Sequence, residues 1–183
     1  MQDCASDATR MASLARRMHE PDLVWRPLRE GDLAYVAALE AQIHAAPWTQ
    51  RNFRDAIAAG YSAWVGEREG RVVAYGVLML APGEAQILNV SVVPDARRQG
   101  LGRALLRRFV ADAQRLGAEQ VFLEVRVSNA AAIALYRSES FVPVARRKEY
   151  YPTRTPDEVR EDAIVMRLEL GPPTVAKEVR GDA

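Results

Sequence analysis

Residues 88–103 read Leu-Asn-Val-Ser-Val-Val-Pro-Asp-Ala-Arg-Arg-Gln-Gly-Leu-Gly-Arg. The β-branched content of the first part predicts the end of a strand that begins at Glu84. Pro94 stops it, a polar loop with glycine follows, and Leu101 opens a long helix. In that helix Leu101, Leu105, Phe109, Ala113 and Leu116 fall on one stripe, with Arg103, Arg107 and Asp112 off it. Gly117 is its stop. Gln120–Val125, rich in Val and Leu, is the next strand. A strand–helix–strand step of this length implies two parallel neighbours joined by a right-handed crossover. The sheet is therefore mixed and covered by helices, an α/β (α+β) architecture.

Toward the N-terminus, Leu23–Leu28 predicts a first strand. Asp32 is a candidate cap for a helix carrying Leu33, Val36, Ala37, Leu39 and Ile43, which Pro47-Trp48 breaks. Thr49 caps a second helix that runs to Ala59 and stops at Gly60. Ala63–Glu67 and Arg71–Ala81 form a hairpin across Arg68-Glu69-Gly70. Toward the C-terminus, Asn129–Ser138 is an Ala-rich helix, and Phe141–Ala145 and Ala163–Glu169 are the last strands. The order is βααβββαβαββ, with seven strands. One domain is expected over 22–170, with tails at 1–21 and 171–183. Arg10–Glu20 has the pattern for a helical turn or two without a strong cap.

Composition narrows the chemistry. The chain has 183 residues, 25 Lys+Arg, 24 Asp+Glu, two histidines and one cysteine. A lone Cys4 forms no intrachain disulfide, and with His19 and His44 it cannot build a Cys/His zinc site. No metal is expected. No G-x-S-x-G motif supports a serine triad. A net charge of +1 argues against wholesale nucleic-acid binding. The longest apolar run, residues 72–82, is far short of the ~18–20 needed to span a bilayer. No leader of signal-peptide kind is visible. The expected location is cytoplasmic, with no membrane partner.

The loop from Arg97 to Arg103 offers backbone N–H groups at a helix N-terminus, and no acid lies between Arg97 and Arg108. This suits an anion such as phosphate. The alternative is a tight turn with solvated arginines. Gly102-Arg103-Ala104 is not the Gly-Lys-Ser/Thr of a P-loop. Leu105 stands where a dinucleotide fingerprint needs a third small residue.

The segment Leu88–Val92 followed by Arg97-x-x-Gly100-x-Gly102 resembles the acetyl-CoA motif of the GNAT acetyltransferases. That resemblance implies their fold, and acetyl-CoA as co-substrate. It implies that Val90, Ser91 and Val92 line the pantetheine arm. It further implies that Arg98, Gln99, Gly100, Leu101, Gly102 and Arg103 hold the pyrophosphate.

A second segment runs Leu-Glu-Val-Arg-Val-Ser-Asn-Ala-Ala-Ala-Ile-Ala-Leu-Tyr over residues 123–136. Topology directs Glu124, Asn129, Tyr136 and Gly100 to one crevice, where the two parallel strand ends lie side by side. Amine acetylation needs a proton acceptor, a donor for the leaving thiolate and a backbone N–H for the oxyanion. With so few histidines, Glu124 as base and Tyr136 as acid is the economical assignment. Each has an alternative. Glu124 reads equally as a rim carboxylate paired to an arginine, Tyr136 as core, and Asn129 as an N-cap.

The likeness narrows to the GNAT branch that acetylates the N-terminal alanine of small-subunit ribosomal protein 18. His44–Thr49 with Phe53, and Tyr150–Thr153 with Arg160–Ile164, agree with that branch. In it the glutamate matching Glu124 accepts the proton, the tyrosine matching Tyr136 donates it, and the asparagine matching Asn129 contacts acetyl-CoA. The acceptor implied is the N-terminus of a ribosomal protein. A GNAT acting on other protein N-termini, lysine or a small amine is the alternative, and a non-catalytic acyl-CoA-binding module a third reading. Two features depart from the branch. Glu139-Ser140 replaces Leu-Gly before Phe141, and the 153–161 connection is long.

Further expectations are finer. An α-amine titrates near ~8 and a lysine near ~10.4, so a modest base suits an N-terminus. Tyr150 and Tyr151 are candidate walls of a peptide slot. Trp48 and Phe53 serve either as further wall or as a staple of the first two helices. His44 ends a helix and is not taken as a catalyst. Glu84 either draws in an amine or is a solvated strand end.

Overall fold

The computed structural model describes residues 23–152 and 159–171. The chain runs β1 (Val24–Pro27), α1 (Leu33–Ile43), α2 (Gln50–Ala58), β2 (Ser62–Arg68), β3 (Arg71–Ala81), β4 (Glu84–Val92), α3 (Leu101–Arg115), β5 (Gln120–Arg126), α4 (Ala130–Ser138), β6 (Val142–Tyr151) and β7 (Glu161–Glu169). This is the expected order. Short 3-10 turns precede α1 and follow β4. The seven strands form one sheet ordered β1-β2-β3-β4-β5-β7-β6. Among the described residues only β4 and β5 pair parallel. The expected tails lie outside the described residues apart from Gly171, as do the helical turn at 10–20 and residues 153–158 of the long connection.

Each face of the sheet carries its own core. Leu33 and Val36 of α1 and Phe53 of α2 bury against Val65, Tyr75 and Val77. On the other face Leu105, Leu106 and Phe109 of α3 and Tyr136 of α4 pack on Val121, Leu123 and Val125. α3 packs close over Gly76 on β3. A Cβ there would run into the Asn89 carbonyl and lie 2.9 Å from Phe109.

Local chemistry corrects several expectations. Thr49 does cap α2, accepting from the Asn52 N–H at 3.3 Å while Asn52 reaches back. Asp32 makes no side-chain cap on α1. Its carboxylate is taken by Arg26 at 2.7 Å and the Arg29 N–H at 2.8 Å. Asp112, read as lying off the α3 stripe, is buried. It accepts from Ser62 Oγ at 2.6 Å and Trp64 Nε1 at 2.8 Å. Leu116, placed on the stripe, is half exposed at the helix end. The sixth strand extends to Tyr151, well past Ala145.

The pairing of β4 with β5 covers only Glu84–Ile87 against Gln120–Leu123. The strand ends therefore do not lie side by side as expected. Beyond that point β4 stays with β3, while β5 follows β7. The separation begins at a bulge. Val77 faces Asn89 and Leu78 faces Ile87, so Leu88 is the extra residue. A bulge resets the alternation of faces. Ile87 and Val90 point to the α3 side, whereas Leu88 packs with α1 and α2.

Candidate active site

The sheet is parted between the C-terminal halves of β4 and β5, and Glu124 is the first β5 residue past the last β4–β5 pair. Along β5, Gln120, Phe122, Glu124 and Arg126 alternate with the buried Val121, Leu123 and Val125. Glu124 thus sits on the face away from α3. It helps line a cleft of about 290 Å³ together with Glu84, Gln86, Phe122, Arg147 and Val165. Glu84 accepts from Gln120 Nε2 at 2.8 Å at the cleft's edge.

Glu124 is not left free in this arrangement. The Tyr150 hydroxyl donates to Oε2 at 2.7 Å, and the Arg147 guanidinium lies 3.2 Å from Oε1. Arg147 also stands over the Tyr150 ring, 5.3 Å from its centroid. The bond to Glu124, with burial, raises the Tyr150 phenol above its ordinary value. Tyr151 is half-buried edge-on to Tyr150, the ring centroids 5.1 Å apart. Burial raises its phenol well beyond the usual range, with the Glu124 charge adding to it. Arg126 stacks on Tyr151 at 4.3 Å and pairs with Glu161 at 3.0 Å. The pairing of Glu124 with an arginine, read from sequence as an alternative to catalysis, is present. So is its place on a cleft wall.

Tyr136 lies on the other face of the sheet. Its ring is buried 6.0 Å from Phe141, and its hydroxyl donates to no acceptor among the described residues. Burial pushes its pKa up to about 12. A phenol in that state is fully protonated at neutral pH and able to donate. Asn129 is the N-cap of α4, with its side-chain oxygen accepting from the Ala132 N–H at 3.1 Å. That leaves its amide donors for another partner.

The glycine loop has two residues in the left-handed region, Arg98 at φ 65 and Gly100 at φ 80. Backbone N–H groups left without acceptors just before a helix N-terminus suit an anion. The N–H groups of Arg98, Gln99 and Gly100 donate to no backbone acceptor among the described residues. At Gly102 a Cβ would meet Leu135 at 3.4 Å and Val92 at 3.8 Å, ordinary packing distances, so a side-chain methyl fits there.

The side chains of this loop are used differently from expectation. Five arginines between Arg97 and Arg108 do not all face one anion. Arg103 pairs with Glu139 at 2.9 Å and donates to Ser138 at 3.1 Å. Arg107 grips the same Glu139 through two bonds of 2.7 and 3.0 Å. These contacts tie α3 to the end of α4 and give the departing Glu139 a role. Arg108 stacks on Trp64 at 4.5 Å. Arg97 donates to the Val92 carbonyl at 3.2 Å. Gln99 is fixed between Arg68 and the Asp95 carbonyl. Arg98 alone of these side chains has no partner among the described residues.

Val90 and Val92 face the α3 side of β4, while the Ser91 side chain points the opposite way. There lies a group that sequence reasoning missed. Glu40 of α1 is 2% exposed. It accepts from Tyr75 Oη at 2.6 Å, Asn89 Nδ2 at 2.9 Å and the Trp48 N–H at 3.3 Å. His44 Nε2 meets Ser91 Oγ at 2.7 Å and lies 3.5 Å from Glu40. Burial lowers the His44 pKa, Glu40 opposing and Arg97 and Arg126 reinforcing. Phe53 is fully buried, 5.2 Å from Trp48 and 6.0 Å from Tyr75, so it is core.

Comparison with known proteins identifies the family. The model of the acetyltransferase (GNAT) family matches residues 25–141. The [ribosomal protein bS18]-alanine N-acetyltransferase of Escherichia coli strain K12 is 38% identical over 143 residues, covering 78% of this chain and 95% of that protein. The N-alpha-acetyltransferase RimI of Mycobacterium tuberculosis is 36% identical over 154 residues, covering 80% and 92%. The crystal structure of the ribosomal-protein-S18-alanine N-acetyltransferase from Escherichia coli superposes with a TM-score of 0.74 at 37% identity, covering 86% of this chain and 98% of that one. A matched family model, relatives aligned over nearly their whole length and a shared fold leave one conclusion: this chain belongs to the GNAT family of acetyltransferases.

Proposed function

We propose that the chain is an acetyl-CoA-dependent N-α-acetyltransferase whose acceptor is the N-terminal alanine of small-subunit ribosomal protein 18. The observation that carries the reading is Glu124 on the wall of a cleft beside the gap between β4 and β5. The choice of acceptor rests on the relatives, which carry that activity by name.

The residues present suit the co-substrate. The free N–H groups of the 98–100 loop and the α3 N-terminus suit a diphosphate. The edge of β4 left without β5 beyond Ile87 suits an extended arm carrying amides. Val90, Ser91 and Val92 would hold that arm through their backbone, and Arg98 through Arg103 the diphosphate. For Gln99 and Arg103 the contribution is the backbone, since their side chains are engaged elsewhere. Asn129 would add its amide donors. The bound group supplies an acetyl activated as a thioester.

The chain's own groups then divide the proton work. Glu124 takes a proton from the α-amine, directly or through one water. For that, the Tyr150 hydroxyl or Arg147 yields one carboxylate oxygen. Tyr136 Oη provides the proton for the departing sulfur. An N–H on the unpaired edge of β4 steadies the developing oxyanion. Tyr150 and Tyr151 form a wall of the acceptor's entrance.

The test is acetyl transfer to matched hexapeptides beginning with Ala, followed by mass spectrometry. The reading predicts one acetyl group on the free α-amine and none when that amine is blocked, even with a lysine present. Transfer to lysine or to a polyamine, with none to the α-amine, would overturn it.

A further inference from the structure

We propose that Arg68, at the tip of the β2–β3 hairpin, is a positioning residue that pre-forms the phosphate loop. The inference rests on the reading of that loop as the site of the CoA diphosphate. The reasoning starts from the loop's own backbone. Arg98 is a non-glycine residue at φ 65, a left-handed conformation that L-residues adopt only at a cost. Residues 97–100 are exposed. Without a bound anion, the N–H groups of Arg98, Gln99 and Gly100 have no backbone acceptor among the described residues. Such a segment would relax unless other bonds held its shape.

Three side-chain bonds hold it. Arg97 Nε donates to the Val92 carbonyl at 3.2 Å and Gln99 Nε2 to the Asp95 carbonyl at 3.2 Å. Both are local, the first reaching back to the last residue of β4 and the second staying within the loop. The third, from Arg68 Nη1 to Gln99 Oε1 at 2.7 Å, is the shortest and arrives from a different part of the sheet. Its donor is charged, as is that of Arg97, and its shorter length makes it the strongest of the three. Gln99 lies between the two left-handed residues, so fixing its side chain fixes the turn on both sides.

The hairpin supports this assignment. Glu69 and Gly70 both have positive φ, at 51 and 73, so the turn is tight and Arg68 cannot drift far. Arg68 stands directly across from Arg71. Like charges opposite one another destabilise a hairpin. The bond to Gln99 offsets that repulsion. The Arg68 Nε–H is buried with no partner among the described residues. The guanidinium therefore brings a positive charge to the loop while one of its donors stays unsatisfied.

Pre-forming a loop raises affinity by removing an ordering cost that binding would otherwise meet. The effect should appear with the diphosphate and be independent of the acetyl group. Isothermal titration with CoA, and separately with 3′-dephospho-CoA, reads it without turnover. Arg68→Met is expected to weaken both ligands alike, by about tenfold, or ~1.4 kcal/mol. Gln99→Ala is expected to do the same, and the double variant to bind no more weakly than Gln99→Ala alone. In turnover, KM for acetyl-CoA rises while kcat at saturation holds. Wild-type affinity in Arg68→Met would overturn the inference. So would a loss seen with CoA but not with 3′-dephospho-CoA, which would mean a direct contact with the 3′-phosphate. If the wild-type chain binds neither ligand, the proposed function fails and the inference with it. If it binds both and the variants bind as tightly as the wild type, the inference alone fails.

Discussion

Glu40→Leu removes the carboxylate that joins α1 to β3 and β4 beneath the gap. Leu fits the space roughly, so lost volume is a minor part of the effect. The donors matter more. Tyr75 Oη, Asn89 Nδ2 and the Trp48 N–H all point at this group. Tyr75 is fully buried and Asn89 nearly so, so water does not replace the lost acceptor. Each orphaned donor costs about 1–3 kcal/mol, which for two gives about 2–6. Removing a buried carboxylate recovers part of its desolvation, which places the expected loss near 3–4 kcal/mol. Glu40→Gln keeps one acceptor oxygen but turns an amide toward another donor, and should lose about 1–2 kcal/mol. Urea denaturation is the assay, with the m-value unchanged if the native state stays compact. A further arm isolates the cause. Tyr75→Phe removes one donor, so Glu40→Leu combined with Tyr75→Phe should lose less than the sum of the singles by about 1 kcal/mol. Strict additivity, or a loss below about 1 kcal/mol in Glu40→Leu, would refute the view that satisfied donors hold this hub together.

Three other outcomes follow from the same structure. Burial holds the His44 pKa below its ordinary value, against Glu40 and with Arg97 and Arg126. The unfolded chain then binds that proton more readily, so this contribution to stability is complete above about pH 6.5 and is lost as pH falls below it. His44→Gln should flatten the acid side of the stability profile, and an unchanged slope would count against the argument. Ser140 follows α4 at φ 68, the position where glycine is preferred. Ser140→Gly should raise stability by about 0.5–1 kcal/mol in a thermal melt, and a fall would contradict the strain. Gly76→Ala should lose at least about 1–3 kcal/mol, because its Cβ meets the Asn89 backbone and the Phe109 ring. Wild-type stability there would show that α3 can shift away.

The elements were legible because local signals agreed: periodic apolar residues, Thr49 as a cap, and Gly60 and Gly117 as stops. The loop from Arg97 to Gly102 was legible for the same reason. What escaped depended on three-dimensional pairing. A bulge at Leu88 leaves no mark in an apolar run, yet it parts the sheet and turns Ser91 away from the α3 side. The arginines could be counted but not assigned, since Glu139 and Trp64, which occupy three of them, are distant in sequence. Two buried acids did leave a trace. Glu40 falls four residues after Val36, and Asp112 seven after Leu105, each on the buried stripe of its helix. A carboxylate at such a position is a signal for a buried partner. Tyr150 reached Glu124 through a strand that ends six residues further on than its apolar start suggested.

The proton role of Glu124 is open to a direct reading. Turnover of Glu124→Gln at saturating acetyl-CoA and Ala-starting peptide, measured beside its affinity for CoA, separates chemistry from binding. With Glu124 as the proton acceptor, kcat falls by about a hundredfold or more while CoA affinity stays at the wild-type value. Near-wild-type kcat in that variant would contradict the account and leave Glu124 as a rim carboxylate held by Arg147 and Tyr150.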